Sequence, residues 1–142
     1  MTHTVCHMSI SMDGFVAGPH QGPDDPLGVG GLRLHEWHWD ADAPVHEQDV
    51  AMRDDLMAPR GAYVMGRNMF GPIRGSWEAG ASTVRQALAA GVVDELVLDV
   101  VPLLLGTGER LFDGVSDPGF TPVEVVSSPR ATHVRYRIGV VS

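Results

Sequence analysis

Two glycine-containing segments have the residue types of an anion-binding turn. Residues 66–70 (Gly-Arg-Asn-Met-Phe) follow an apolar run and place an arginine beside the free N–H groups of a helix start, where a phosphate could bind. Residues 79–83 (Ala-Gly-Ala-Ser-Thr) put small residues at the start of another helix. For the first segment, an ordinary strand-to-helix turn is the stronger interpretation from residue types alone. For the second, a phosphate site and a simple cap by Ser82 are evenly matched.

Asp13 is the strongest candidate for acid–base or orienting chemistry. It interrupts the first predicted strand together with Gly14, and an aspartate there could bind a polar substrate or orient a reacting group. A turn aspartate that bonds its own backbone is somewhat better supported.

The other candidates for chemistry are weaker. His35 and His38 have a three-residue spacing that a metal site could use, but no third ligand follows at a suitable spacing, so no metal is predicted. Trp37 could form an aromatic lid over a ligand or could simply pack in the core. Cys6, the only cysteine, lies in an apolar strand, which excludes an internal disulfide and favours a buried, unreactive thiol.

Residues 91–112 predict where a ligand would bind. A glycine precedes an apolar strand at 94–101 whose two faces both read as buried, and Pro102 ends that strand. A Gly-Thr-Gly turn at 106–108 follows, in which backbone could approach a ligand closely. Ligands of α/β proteins gather beyond the carboxyl ends of such strands, so we expect the site here.

The periodicity of the chain predicts an α/β fold in a single domain, residues 1–142. The expected sheet is mainly parallel, with an antiparallel hairpin at the C-terminal end and helices on both faces. The predicted strands are 4–10, 15–17, 61–66, 94–101, 120–127 and 132–141; the predicted helices are 44–57, a single turn at 67–70, and 83–90 capped by Ser82 and closed by Gly91, with a long loop at 18–44.

Composition limits the classes of partner. The 142 residues carry a formal net charge of −8 and no basic block, which disfavours nucleic acid and anionic membrane surfaces. No apolar run reaches the roughly 20 residues of a membrane helix, and no signal peptide is evident. We therefore expect a cytoplasmic protein.

The motifs taken in order resemble the dihydrofolate reductase-like superfamily, and more narrowly the small stand-alone proteins similar to the C-terminal reductase domain of the bifunctional riboflavin-biosynthesis deaminase/reductase. The resemblance covers nearly the whole chain, and its most specific part is residues 91–112. The matching segments are residues 8–18, 64–70, 80–83, 91–96, 101–112 and 132–137.

The resemblance implies NADPH-dependent hydride transfer to a small heterocyclic or imine-type substrate, in a protein that forms a homodimer. Asp13 would be the catalytic residue. The implied cofactor-binding residues are Val16, Ala17, Gly18, Gly66, Arg67, Asn68, Phe70, Gly80, Ala81, Ser82 and Thr83. The implied substrate-binding residues are Gly14, Leu105, Gly106, Gly108 and Leu111, to which the possible lid adds Trp37.

The chain departs from this family in its middle. Relatives place a strand, a helix and a further strand between the two glycine-containing segments, whereas only residues 72–79 intervene here. Eight residues span at most about 28 Å and cannot form three elements. Either the given sequence lacks a segment of the protein, or the fold is shortened. In the second case the alternative function is a non-catalytic dimerising or ligand-binding module on a shortened reductase scaffold.

Overall fold

The computed structural model describes residues 2–64 and 81–139, which contain six strands, two α-helices and one 3₁₀ helix. Residues 65–80 lie outside the described part, and so do the sequence predictions made for Gly66, Arg67, Asn68, Phe70 and Gly80. The described elements are β1 (Val5–Ser11), β2 (Phe15–Ala17), a 3₁₀ helix (Gly31–His35), α1 (Glu47–Met57), α2 (Ser82–Ala89), β3 (Glu95–Val101), β4 (Glu109–Arg110), β5 (Phe120–Ser127) and β6 (Thr132–Ile138).

Four strands form the main sheet in the order β1-β3-β6-β5. β1 pairs parallel with β3, so that Ser11 lies opposite Val101 and both strands end at the same edge. The pairings of β3 with β6 and of β6 with β5 are antiparallel. The α/β class and the C-terminal hairpin are confirmed, but the expectation of a mainly parallel sheet is wrong for the described residues. An apolar strand such as β3 has the same residue pattern whether its neighbouring strand runs parallel or antiparallel to it, so the sequence does not predict the direction.

Alternating residues of the sheet face two apolar clusters, one on each side. Leu96 and Leu98 pack with Ile10, Leu111 and Ala81 on the side of α2. Val97 and Val101 pack with Leu34, Trp37, Met52 and Ala131 on the side of α1. The prediction of helices on both faces is therefore confirmed for the described helices.

β2 and β4 form a separate two-stranded ribbon, and Val16 of β2 packs in the same apolar cluster as Leu96 and Leu98. Phe15 lies opposite Arg110 and Ala17 opposite Glu109, in antiparallel pairing. β4 was not predicted, because two polar residues carry no periodicity.

The helix ends correct two details of the sequence analysis. α1 begins at Glu47 rather than at Pro44, because His46 is still extended, and Glu47 and Asp49 then place negative charge in the first turn. α2 begins at Ser82, and Ala81 occupies the cap position without a side-chain hydrogen bond, so Ser82 is not the cap.

The C-terminal end of α2 follows the prediction. Gly91 has φ +68°, its N–H donates to the carbonyl of Leu88, and the N–H of Val92 donates to Ala87. This pair of bonds is the Schellman arrangement, which favours glycine at the left-handed position.

Residues 61–64, the described part of the predicted strand 61–66, form no strand. None of the described helices is long and apolar enough to cross a membrane.

Candidate functional site

Asp13 holds the turn that follows β3. One carboxylate oxygen accepts hydrogen bonds from the Ser11 hydroxyl and from the N–H of Leu105, and the other accepts from the N–H of Gly106 at 2.7 Å. The hydrogen bond from Ser11, followed by those from Gly106 and Leu105, holds the pKa of Asp13 below its usual 3.8 in spite of partial desolvation. Asp13 is therefore a carboxylate at neutral pH, with both oxygens engaged, and this geometry favours the turn role over proton donation.

Gly106 and Gly108 shape the turn in different ways. Gly106 has φ +79°, and a Cβ added there would meet no atom within 4 Å. Gly108 has φ +136°, and a Cβ there would lie 2.1 Å from the carbonyl oxygen of Ala17. The close approach predicted for this turn therefore occurs, but the partner at Gly108 is the backbone of β2 rather than a ligand.

Several residues expected to contact cofactor or substrate instead have buried side chains. Leu111 is fully buried in the cluster beside α2, and Leu105 packs at the margin of the cluster beside α1. Val16 and Ala17 are 7% and 3% exposed. The side chains of Leu111, Val16 and Ala17 pack in the core because apolar side chains gain from burial there. Any contact of these residues with a ligand would therefore come from their backbone, and the binding roles assigned to them stay predictions.

Trp37 also packs in the core. Its side chain is 1% exposed, its indole N–H donates to the hydroxyl of Ser9 at 3.0 Å, and its ring meets that of His133 edge-on. The lid interpretation of Trp37 is therefore wrong, and the alternative of plain packing describes this residue.

The N-terminus of α2 is already bound to a carboxylate. The N–H of Ala81 donates to Oε1 of Glu109 at 2.7 Å, and a guanidinium nitrogen of Arg85 lies 3.3 Å from the same oxygen. The other end of the Arg85 guanidinium donates to the carbonyl of Arg110 at 2.6 Å. Ser82 and Thr83 are partly exposed in the first turn of the helix.

An open cleft of about 490 Å³ lies between α2, β4 and the loop after β2. It brings together two of the predicted site residues, Gly18 and Gly108, with residues that were not predicted. The described lining residues are Gly18, Pro19, His20, Gln21, Arg85, Thr107, Gly108, Glu109, Arg110 and Asp113.

Sequence reasoning assigned no role to Arg85 or Glu109, two of the four Arg, Asp and Glu residues that line this cleft; the others are Arg110 and Asp113. Arg85 lies three residues after Ser82 and therefore near the predicted helix start, which was the available signal. Glu109 directly follows the Gly-Thr-Gly turn, but nothing in its neighbours indicates that it reaches α2. Gly14, with φ +90°, accepts a hydrogen bond from the N–H of Leu111 and does not line the cleft.

A second polar cluster lies buried on the opposite face of the sheet, where His133 bridges two aspartates. Its two ring nitrogens lie 2.7 Å from Asp99 and 2.7 Å from Asp49, and all three side chains are at most 1% exposed. Asp99 also bonds His7 at 2.6 Å. No apolar pattern in the sequence predicted this cluster, which joins α1, β1, β3 and β6.

Burial and hydrogen bonding oppose each other in this cluster. Burial by itself would lower the pKa of His133, but the bonds to Asp99 and Asp49 outweigh it and raise that pKa above 6.5. Burial would raise the pKa of Asp99, but the bonds to His133 and His7 bring it below 3.8. The two carboxylates therefore favour the protonated imidazole of His133 more than water does for a free histidine.

Comparison with known proteins supports the resemblance found in the sequence. Residues 72–134 match the family described as the RibD C-terminal domain, which confirms the predicted resemblance to the riboflavin-biosynthesis reductase domain. No curated protein matches the chain.

Among solved structures, a candidate riboflavin biosynthesis protein from Shewanella sp. PV-4 superposes with a TM-score of 0.59 at 14% identity, over 98% of this chain and 100% of that one. This likeness supports the fold alone. A pyrimidine reductase-like protein from Corynebacterium diphtheriae is 32% identical over 42% of this chain and 26% of its own, with a TM-score of 0.38. Acinetobacter baumannii RibD is 22% identical over 43% of this chain and 19% of its own, with a TM-score of 0.39.

Proposed function

We propose that this protein is an NADPH-dependent reductase that transfers a hydride to a small heterocyclic or imine-type substrate. The observation that carries the proposal is the family match at residues 72–134, which includes α2, β3, β4 and the turn between β3 and β4. The cleft that these elements border is the place where we expect the cofactor. A cytoplasmic location is part of the same proposal.

The cleft has features that suit a phosphorylated cofactor. Arg85 and Arg110 line it together with the acidic Glu109 and Asp113, and the N–H of Ala81 at the start of α2 points toward Glu109 in β4. Arginine binds phosphate through paired N–H donors, and a helix N-terminus adds to the attraction. Arg85 would therefore contact a cofactor phosphate, together with the backbone of Gly18 and Gly108.

The protein's contribution to such a reaction is alignment. NADPH supplies the hydride when bound, so the chain must position the acceptor and exclude water. Asp13 contributes by fixing the backbone of Leu105 and Gly106 at the carboxyl end of β3. The cofactor roles of Gly66, Arg67, Asn68, Phe70 and Gly80 remain predictions from the resemblance.

A second candidate function is a non-catalytic ligand-binding or dimerising module. Two observations favour it: both carboxylate oxygens of Asp13 are engaged, and the N–H of Ala81 is bound to Glu109. Such a module would bind a small molecule in the cleft without reducing a substrate.

Calorimetric titration of NADPH and NADH into the full chain tests the proposal. We expect binding, with NADPH bound more tightly than NADH. Arg85→Ala should weaken NADPH binding about tenfold, since it removes a charged phosphate contact. Arg137→Ala is the matched control, because it removes the same charge from an exposed position on the face of the sheet opposite α2. A folded wild-type chain that binds neither nucleotide would leave the ligand-binding module as the better assignment.

A further inference from the structure

Glu109 occupies the position at which an external anion would meet α2. Its Oε1 accepts the N–H of Ala81 at 2.7 Å and lies 3.3 Å from the Arg85 guanidinium. A carboxylate at this position gains from the partial positive charge of the helix N-terminus. The Glu109 carboxylate therefore occupies the Ala81 N–H and the Arg85 guanidinium, the two groups that would attract a phosphate.

The second oxygen of Glu109 shows that this arrangement carries a cost. The Glu109 side chain is 9% exposed, and Oε2 is buried with no hydrogen-bond partner among the residues that the structure describes. A buried carboxylate oxygen without a donor loses its hydration and gains nothing in return. The contact at Oε1 is thus offset by a penalty at Oε2, which lowers the free energy needed to displace the carboxylate.

We propose that Glu109 is a built-in competitor for phosphate, and that a phosphorylated ligand binds at α2 by displacing its carboxylate. Release of Glu109 would free the N–H of Ala81 and the guanidinium of Arg85 together, since both bind the same oxygen. Glu109 thereby sets the affinity of the site for phosphate groups. For NADPH this inference rests on the proposed function; for inorganic pyrophosphate it does not.

The experiment compares three proteins by calorimetry with two ligands, inorganic pyrophosphate and NADPH. The proteins are the wild type, Glu109→Gln and Glu36→Gln. Glu109→Gln keeps the side-chain shape but removes the competing charge, so both ligands should bind about tenfold more tightly than to the wild type. Glu36→Gln removes the same charge from an exposed residue that does not line the cleft, and it should leave both affinities unchanged.

A direct readout of the displacement comes from the Ala81 amide. In an ¹⁵N-edited spectrum, pyrophosphate added to the wild type should shift the Ala81 amide resonance, and the Glu109→Gln change alone should shift it as well. Glu109→Asp is a second variant, which retains the charge but is one methylene shorter. If the contact of the Glu109 carboxylate with the Ala81 N–H competes with phosphate, this variant should bind pyrophosphate more tightly than the wild type. Cooperative thermal unfolding establishes that each variant is folded.

The outcomes separate this inference from the proposed function. If the wild type binds NADPH and Glu109→Gln binds it no more tightly, the competition is overturned while the reductase proposal stands. If NADPH binds neither protein but pyrophosphate binds Glu109→Gln more tightly than the wild type, the competition stands and the cofactor assignment fails. If neither ligand binds either folded protein, both ideas are overturned.

Discussion

At the scale of single residues, Asp13 shows how a plausible catalytic group can instead serve the backbone. Its two oxygens receive one hydroxyl and two N–H groups, all from the segments that border the end of the sheet. A carboxylate with this many donors is stabilised in its charged form and resists protonation. We therefore interpret Asp13 as a positioning residue for the turn at residues 103–106.

Asp13→Asn tests that role. The amide can accept only at one atom, and its NH₂ group would face a backbone N–H, so we expect a lower melting temperature and faster amide exchange at Leu105 and Gly106. If a reductase activity is measured, its pH profile should be unchanged. Loss of an acidic limb from that profile, with normal exchange at the turn, would instead support proton transfer by Asp13.

Removal of His133 should strongly destabilise the fold. His133→Ala leaves Asp49 and Asp99 buried without their shared partner, and breaking such a buried pair costs about 3 to 5 kcal/mol of unfolding free energy. Urea denaturation measures the loss. His46→Ala, which precedes α1 and makes no side-chain cap hydrogen bond, is the control and should change stability by less than about 0.5 kcal/mol. Equal losses in both variants would contradict a bridging role for His133.

At the scale of elements, the ribbon of β2 and β4 connects the sheet to the cleft. Gly108 is the point of closest approach, and Glu109 and Arg110 then pair with Ala17 and Phe15. The Arg110 guanidinium also lies over the Phe15 ring at 4.5 Å. The position of Glu109 against α2 therefore depends on two-residue pairing that a small backbone shift would disturb.

Gly108→Ala and Gly106→Ala form a matched pair that tests this dependence. Both glycines have positive φ, so alanine strains the backbone at either position: by about 1 kcal/mol at Gly106, whose φ of +79° is left-handed, and by more at Gly108, whose φ is +136°. Only Gly108→Ala also places a Cβ against the carbonyl of Ala17, and it should displace β4 and cost clearly more. Chemical denaturation and the Ala81 amide resonance are the measurements. A Gly106→Ala variant as unstable as Gly108→Ala would show that steric contact with β2 is unimportant.

At the scale of the whole molecule, the buried histidine–aspartate cluster couples stability to pH. The raised pKa of His133 means that its contribution is complete below about pH 6.5 and is lost as pH rises through that pKa. The lowered pKa of Asp99 means that its contribution is complete above about pH 3.8 and is lost as pH falls through that pKa. The cluster therefore stabilises most strongly in the mildly acidic range.

The prediction is that the difference in unfolding free energy between the wild type and His133→Gln shrinks as pH rises above 6.5. The comparison is needed because burial lowers the pKa of His35 and of His38, and those residues favour stability at higher pH. Both proteins retain them, so they cancel in the difference. A difference that grows with rising pH would contradict a protonated His133 in the folded state.

We propose that the homodimer expected from the resemblance forms through an edge of the main sheet. β5 is an edge strand of the described sheet, and Val125 is 62% exposed on the face that also carries Val134. We expect light scattering to give twice the 15.3 kDa of one chain, and Val125→Glu to favour the monomer. Val92→Glu, at an exposed position after α2, is the control. A monomeric wild type would contradict the proposal.

The sequence by itself predicts those features that depend on residues close together along the chain. A continuous apolar run marked β3, alternating residues marked β5 and β6, and Gly91 marked the end of α2, because strand patterns and left-handed glycine depend on neighbours along the chain. The order of motifs also indicated the family.

Contacts between distant residues were decided by the tertiary fold. Sheet direction, the burial of Trp37 and Leu111, and the contact of Glu109 with Ala81, 28 residues away, leave no local pattern. Asp13 and Gly106 are separated by 93 residues, and Asp49 and His133 by 84. A side chain's role in such pairs depends on which partner folding brings within hydrogen-bond distance, and residue type alone does not specify that partner.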